Sequence, residues 1–193
     1  MSERISGKVI IVNGCPASGK TYTANLLSKK LSIPVISKDF FKESLFDSLG
    51  FEDRQFSAKI GKASYKLLLK TAKLLAQQKY SFILENAFFS KSEDEVLSSL
   101  NYHKIIQIWC HTPVEMLIER FVERALDGSR HPGHADSNNV KEIEQKILSN
   151  TYAPLKLPAP LIYLPTSDFN RSNYINAFNS VIQEYAKPRS LIE

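Results

Sequence analysis

The sequence predicts an α/β domain with a mainly parallel five-stranded sheet, because short β-rich apolar runs alternate with longer segments of helical period along the chain. Its 193 residues match one compact domain, and 43% hydrophobic composition suffices for a core without metal or disulfide support. No internal repeat or low-complexity tract interrupts the alternation, so residues 1–193 read as a single domain.

The five expected strands are Lys8 to Asn13, Pro34 to Ser37, Phe82 to Glu85, Lys104 to Cys110 and Leu161 to Leu164. After the first strand comes a glycine-bearing loop, and a helix should open at its end and run to about Leu31. That helix carries Ala24, Leu27 and Leu31 on one stripe, and Pro34 forbids its continuation. A second long helix covers roughly Lys59 to Gln78, with Leu68, Ala72 and Leu75 at helical spacing. Thr112-Pro113-Val114-Glu115 reads as a helix start in which threonine caps, proline takes the first helical position and glutamate closes a capping box. The last helix, about Ser172 to Tyr185, is expected to bury Ile175, Phe178, Ile182 and Tyr185. Between Leu126 and Asn139 the chain is rich in Gly, His, Ser, Asn and Asp and reads as a mobile lid loop. The tail at 187–193 lacks a packing pattern and is expected to be disordered.

Charge and cysteine usage narrow the function. With 25 basic against 20 acidic residues the net charge is +5, scattered without a long single-sign block, which suits phosphorylated ligands without requiring nucleic acid. Cys15 and Cys110 have no metal-ligand spacing and fit a reduced, cytoplasmic setting. The apolar run Val9 to Val12 is far too short for a secretory segment or a membrane span, so no membrane role is expected.

The chemistry is carried by Gly14-Cys15-Pro16-Ala17-Ser18-Gly19-Lys20-Thr21, a Walker A pattern placed between an apolar strand and a helix. Glycines let the backbone curl so that successive amides point inward, and the following helix adds its positive dipole end to that anion nest. Lys20 can reach the β and γ phosphates and the Thr21 hydroxyl can ligate Mg2+, so ATP with magnesium is the expected ligand. An ordinary glycine turn would not need the adjacent Lys-Thr pair.

Other candidates gather around that loop. Asp39 ends the second strand in Ile36-Ser37-Lys38-Asp39, on the sheet edge that carries the glycine loop; it reads either as a general base for an acceptor hydroxyl or as a helix cap for Phe40 to Leu45. Glu85 closes Phe82-Ile83-Leu84 as an acidic Walker B residue would. It could hold magnesium through water, orient an acceptor with Asn86 beside it, or simply begin a turn. Arg120 and Arg124 lie one helical turn apart and Arg130 follows in the loop; the three could converge over a nucleotide or pair with Glu119 and Glu123 on a solvated helix. His131 and His134 flank Pro-Gly and, lacking a third ligand, read as lid or acceptor contacts rather than a zinc site.

GCPASGKT, ISKD followed by Lys42, the ILEN strand end and the run ERFVERALDGSRHPGH together resemble the small P-loop kinases. The likeness is strongest to the AAA-like predicted kinases related to chloramphenicol phosphotransferase, zeta toxins and the kinase domain of polynucleotide kinases. It implies a three-layer P-loop NTPase fold with strand order 2-3-1-4-5 and a small helical lid. It also implies Asp39 as general base, Arg120 near the adenine, Arg124 and Arg130 as lid arginines on the phosphates, and Lys42 where an acceptor-binding arginine is common. Glu85 departs from the usual aspartate, and Leu164-Pro165-Thr166-Ser167 lacks the acidic residue often found before that threonine.

The expected activity is transfer of the ATP γ-phosphoryl group to a hydroxyl of a small-molecule acceptor. A nucleoside or polynucleotide 5′-hydroxyl kinase comes second, because no arginine-rich stripe interleaved with aromatics marks a nucleic-acid channel. A regulatory ATPase without an acceptor is the remaining alternative; it would need a water-positioning residue and a partner surface that the sequence does not show.

Overall fold

The apolar run Val9–Val12 is fully buried on both faces, which only the centre of a parallel sheet provides. In the computed structural model, which describes residues 7–100 and 104–187, this run forms β1 (Lys8–Gly14). It pairs in parallel with β3 (Phe82–Glu85) on one side and β4 (Lys104–His111) on the other. Outside these lie β2 (Val35–Ser37) against β3 and β5 (Leu161–Pro165) against β4, giving the order β2-β3-β1-β4-β5 that the sequence led us to expect. In this register Val12 and Ser37 both align with Glu85, and Gly14 aligns with Cys110, so the carboxyl ends of four strands finish on one edge. Residues 188–193 of the expected disordered tail lie outside the described residues.

Among the described residues seven α-helices surround the sheet: α1 (Lys20–Leu31), α2 (Lys38–Leu49), α3 (Arg54–Gln77), α4 (Glu93–Ser99), α5 (Val114–Leu126), α6 (Val140–Leu148) and α7 (Ser172–Ala186). Strand alternation sends Ile10 and Val12 to one face, where they meet Ala24 and Leu27 of α1 and Tyr174 and Val181 of α7. Val9 and Ile11 point the other way, onto Leu68 and Ala72 of α3 and Val96 of α4. A third cluster of Cys15, Trp109, Leu117, Ile147 and Tyr152 lies under α5 and α6. Among the described residues no helix is long and apolar enough to cross a membrane.

Four local expectations are corrected. Asp39 does not end β2: the Ser37 hydroxyl accepts the Phe40 amide at 3.2 Å, so the helix begins at Lys38 and Asp39 falls in its first turn. The long helix starts at Arg54 rather than Lys59, because the Asp53 carboxylate accepts the Phe56 amide at 2.8 Å. Thr112 does not cap α5; its hydroxyl lies 2.8 Å from that of Thr166, and Pro113 occupies the cap position. On α7, Ile175 is 50% exposed whereas Tyr174 and Val181 are buried, with Phe178, Ile182 and Tyr185 packed beside them. The stripe facing the sheet is therefore centred on Tyr174, Phe178, Val181 and Tyr185, which puts Ile175 at its margin.

The rotation of α7 is testable by denaturant unfolding. Val181→Ala should cost ~2 kcal/mol, the value expected for two buried methyl groups and the space they leave. Ile175→Asn should stay within ~0.5 kcal/mol. The reverse ranking would turn the helix.

Candidate active site

The loop after β1 is shaped by left-handed backbone at Ala17 (φ 62°) and Gly19 (φ 77°), which curls its amides inward. Gly19 is further required by a close approach, since a Cβ there would stand 2.5 Å from the Phe169 ring. The strand end is tied by Asn13, fully buried. Its Oδ1 accepts the amides of Gly14 (2.8 Å) and Phe88 (2.9 Å), while its Nδ2 donates to the Ala153 carbonyl at 3.2 Å.

Lys20 is 8% exposed and its ammonium donates to the Cys15 carbonyl at 2.6 Å. Burial lowers its pKa, an effect that Glu85 and Asp39 oppose. The Ser18 hydroxyl is buried with no partner. Inward amides and a lysine folded over them form a donor set suited to phosphate oxygens.

One cavity of about 730 Å³ opens from this loop. Of the residues expected from the sequence, Lys20, Thr21, Asp39, Lys42, Glu85, Asn86, Arg124, Arg130 and His134 line it, together with Pro16 and Ala17. Arg120 and His131 do not. Arg120 instead donates to the carbonyls of Thr166 and Ser167, both at 2.9 Å, and so fastens α5 to the loop after β5. Glu85 is buried, and burial pushes its carboxyl up to about 7 although Lys20 pulls the other way. No three His, Cys, Asp or Glu side chains among the described residues are placed to hold a metal by themselves. Thr21, in the first turn of α1, lines the cavity beside Lys20.

The lid segment docks on α2. Asp39, Glu43 and Asp47 recur one turn apart and meet, in order, Arg130 at 2.8 Å, His134 at 2.8 Å and His131 at 3.2 Å. Phe46, between those acids, stacks on His131 with ring centroids 5.3 Å apart. A Cβ at Gly133 would lie 2.5 Å from the same ring, so only glycine lets the lid come this close. Residues 126–139 thus contain two 3-10 turns, Pro132–His134 and Asp136–Asn139, rather than an irregular loop.

Arg124 and Arg130 converge, as one reading of the sequence allowed. Their shared carboxylate is Asp136, 3.5 Å from Arg124 and 2.9 Å from Arg130, and not Glu119 or Glu123. Burial alone would raise the pKa of Asp39, but the Arg130 guanidinium, helped by Lys38 and His134, holds it well below the usual carboxylate range. Burial likewise drives His134 down to about 3, with Arg130 and Lys42 adding to the effect. The neutral ring then donates from Nε2 to Glu43 and accepts from Arg130 at Nδ1, 3.2 Å away. Burial lowers Lys42 to about 8; its ammonium lies 3.0 Å from the Ser57 hydroxyl and 3.5 Å from His134 Nδ1.

Sequence reasoning missed Asn13, Glu43, Ser57 and Asp136. Acids at i, i+4 and i+8 from Asp39 were a usable signal for Glu43. The other three are single polar residues outside the motifs; the partners of Asn13 lie far along the chain, whereas those of Ser57 and Asp136 are Lys42, Arg124 and Arg130 nearby.

The Asp39–Arg130 pair has a measurable consequence. With Asp39 ionised, the pair adds stability above the ordinary carboxylate pKa of about 4, and this is lost as pH falls through the lower folded value. The 38% exposure of the Asp39 side chain keeps the gain small. In Arg130→Met the largest lowering influence is removed while Lys38 remains, and the Asp39 pKa should rise toward the ordinary range, read from a carboxyl NMR titration. An unchanged titration would mean that the pair does not form in solution.

A family profile described as an AAA domain matches residues 9–148, from β1 to the end of α6. Among solved structures, a candidate kinase from Chloroflexus aurantiacus is 32% identical, with 92% of this chain and 98% of that chain covered and a TM-score of 0.79. A gluconokinase from Sinorhizobium meliloti is 15% identical, covered at 95% of both chains, with a TM-score of 0.59. A shikimate kinase from Bacteroides thetaiotaomicron is 16% identical over 92% of this chain and 96% of its own, with a TM-score of 0.52. The last two likenesses are of fold. A search of curated proteins returned no match.

Proposed function

This chain belongs to the AAA-domain family, among the small P-loop kinases that its motifs resemble, and from that premise we propose that it is an ATP-dependent kinase. Its acceptor, in this reading, is a hydroxyl on a small molecule. The single observation that carries the reading is that the cavity does not stop at the phosphate nest. It continues past Asp39 to Ser57, Gly61 and Tyr65 of α3 and to Phe89 and Ser92 after β3, which is room for a second substrate beside the reacting phosphate. A nucleotide switch that only hydrolyses ATP needs the nest and a water molecule, not that chamber.

The loop amides and Lys20 would hold the β and γ phosphates. Magnesium bound with the nucleotide would neutralise phosphate charge, with the Thr21 hydroxyl as its protein ligand and Glu85 as an outer partner. Arg120, fixed to the loop after β5 outside the cavity lining, would border the base in this reading, and the segment 126–139 would be the lid. Once a γ-phosphate enters, its oxygens compete with Asp39 and Asp136 for Arg130 and Arg124, and Asp39 is released. The acceptor hydroxyl then gives its proton to Asp39 as its oxygen bonds to the γ-phosphorus. The bond to the β–γ bridging oxygen breaks and its electron pair leaves with ADP. Both cysteines are buried free thiols, which fits a reducing compartment such as the cytoplasm.

Two substitutions test the assignment. Lys20→Ala should abolish turnover, and a variant that bound and used ATP like the parent would remove the nucleotide from this loop. Asp39→Asn keeps size and much of the hydrogen bonding but cannot take a proton. It should bind ATP and lose transfer by roughly 10² to 10⁴-fold. Near-parental transfer in the folded variant would take the base away from Asp39.

A further inference from the structure

The longest helix carries a charge that its neighbours leave unpaired. α3 holds Arg54 and five lysines, Lys59, Lys62, Lys66, Lys70 and Lys73, and no acidic residue among its 24. All five lysines are exposed, and none forms an ion pair among the described residues. The adjacent α4 opens with Glu93, Asp94 and Glu95, yet none of these acids pairs with a lysine of the row. At 3.6 residues per turn the lysines fall within about 80° of arc and span about 21 Å along the axis. They lie opposite the buried stripe of Ile60, Ser64, Leu68, Ala72 and Ala76. Like charges three and four residues apart repel, so the row weakens the helix that bears it and calls for an external partner.

The surroundings of the row say which partner fits. Leu67 and Leu74 are exposed on one flank of the lysines. At the far end Lys79 and Tyr80 are exposed too, held to the helix by amides that donate to the carbonyls of Ala76 at 2.8 Å and Leu75 at 3.0 Å. Ammonium groups on flexible stems suit anionic lipid headgroups, leucines suit the acyl boundary beneath them, and tyrosine favours the interface between the two. A nucleic acid makes other demands. α3 is packed on the sheet and flanked by α2 and α4, so it cannot enter a groove, and no aromatic side chain is exposed along it to stack a base.

We propose that the outer face of α3 is a docking surface for an anionic lipid bilayer, on which the lysine row lies flat. The sequence argued against a membrane span; attachment to a bilayer surface asks only for charge and a few apolar side chains. Lys62 belongs both to the row and to the cavity wall, so the chamber of the docked protein would open beside the headgroups.

The test is co-sedimentation of the whole chain with vesicles of phosphatidylcholine alone and of phosphatidylcholine with phosphatidylserine in equal parts. Neither ATP nor an acceptor is present, so the result is independent of the kinase reading. The parent should pellet with the mixed vesicles and not with the neutral ones, and should be released as salt is raised. Lys66→Gln, Lys70→Gln and Lys73→Gln together should lower the partition coefficient by about 10²-fold, since each lysine near such a surface contributes a factor of about five. Lys70→Glu alone should lower it by at least about tenfold. Removing the same charge elsewhere, with Lys29→Gln, Lys30→Gln and Lys141→Gln, should leave binding close to that of the parent. Thermal melting checks that each variant is folded. Equal binding to neutral and mixed vesicles, or an equal loss in the two triple variants, would overturn the proposal. Tighter binding to an oligonucleotide than to mixed vesicles at the same phosphate concentration would overturn it in favour of a nucleic acid.

Discussion

A single buried amide, that of Asn13, joins the three segments from which the cavity is made. Its oxygen takes the amides of Gly14, where the phosphate loop begins, and of Phe88, where the chain leaves β3, and its nitrogen reaches Ala153 on the way to β5. Phe88 and Ala153 lie outside the helices and the sheet, and Gly14 is the last residue of β1. Without the Asn13 side chain, two buried N–H groups and one carbonyl would lose their partners, at about 1–3 kcal/mol each. The loop, the acceptor wall and the segment under α6 thus share one origin, and the positions of Lys20, Glu85 and Tyr152 relative to each other follow from it.

Upon that frame the charges are arranged as a competition. Arg130 divides itself between Asp39 and Asp136, and Asp136 also draws in Arg124. Two guanidinium groups are therefore gathered on the cavity wall around shared carboxylates. Charged acceptors at this range form bonds of comparable kind whether they are carboxylate or phosphate, so exchange between them needs only small displacements. The lid's seat on α2 does not rest on Arg130 alone, because Phe46, Gly133 and the two histidines hold it as well.

The fold was legible in the sequence to the degree that burial writes itself into residue type. β1 and β3 show as unbroken buried apolar runs and β4 as one interrupted by the buried Gln107, and the Walker A residues announce their own backbone path. What could not be read were choices made by distant partners. Thr112 had the form of a cap but was claimed by Thr166, and Asp39 had the form of a strand end until Ser37 capped the helix first. Ile175 had the right spacing, yet the sheet selected the face centred on Val181. At the site, the nine cavity-lining residues beyond the start of the loop were found because they lie within or beside motifs. Asn13, Ser57 and Asp136 were not, since each is one polar side chain outside the motifs whose meaning comes from the partner that the fold sets against it.

The contact between Gly19 and Phe169 ties the two ends of the nucleotide site together. Phe169 belongs to the loop that Arg120 fastens, at the end of the site assigned to the base, yet its ring rests on the backbone of the glycine that precedes Lys20 and also packs on Tyr22, with centroids 4.4 Å apart. The surface that would recognise a base and the loop that would hold phosphates are therefore two sides of one wall. A natural change in the residues around Phe169 would reach the phosphate end through that glycine, so preference for one nucleotide over another and the speed of its use would drift together through descent.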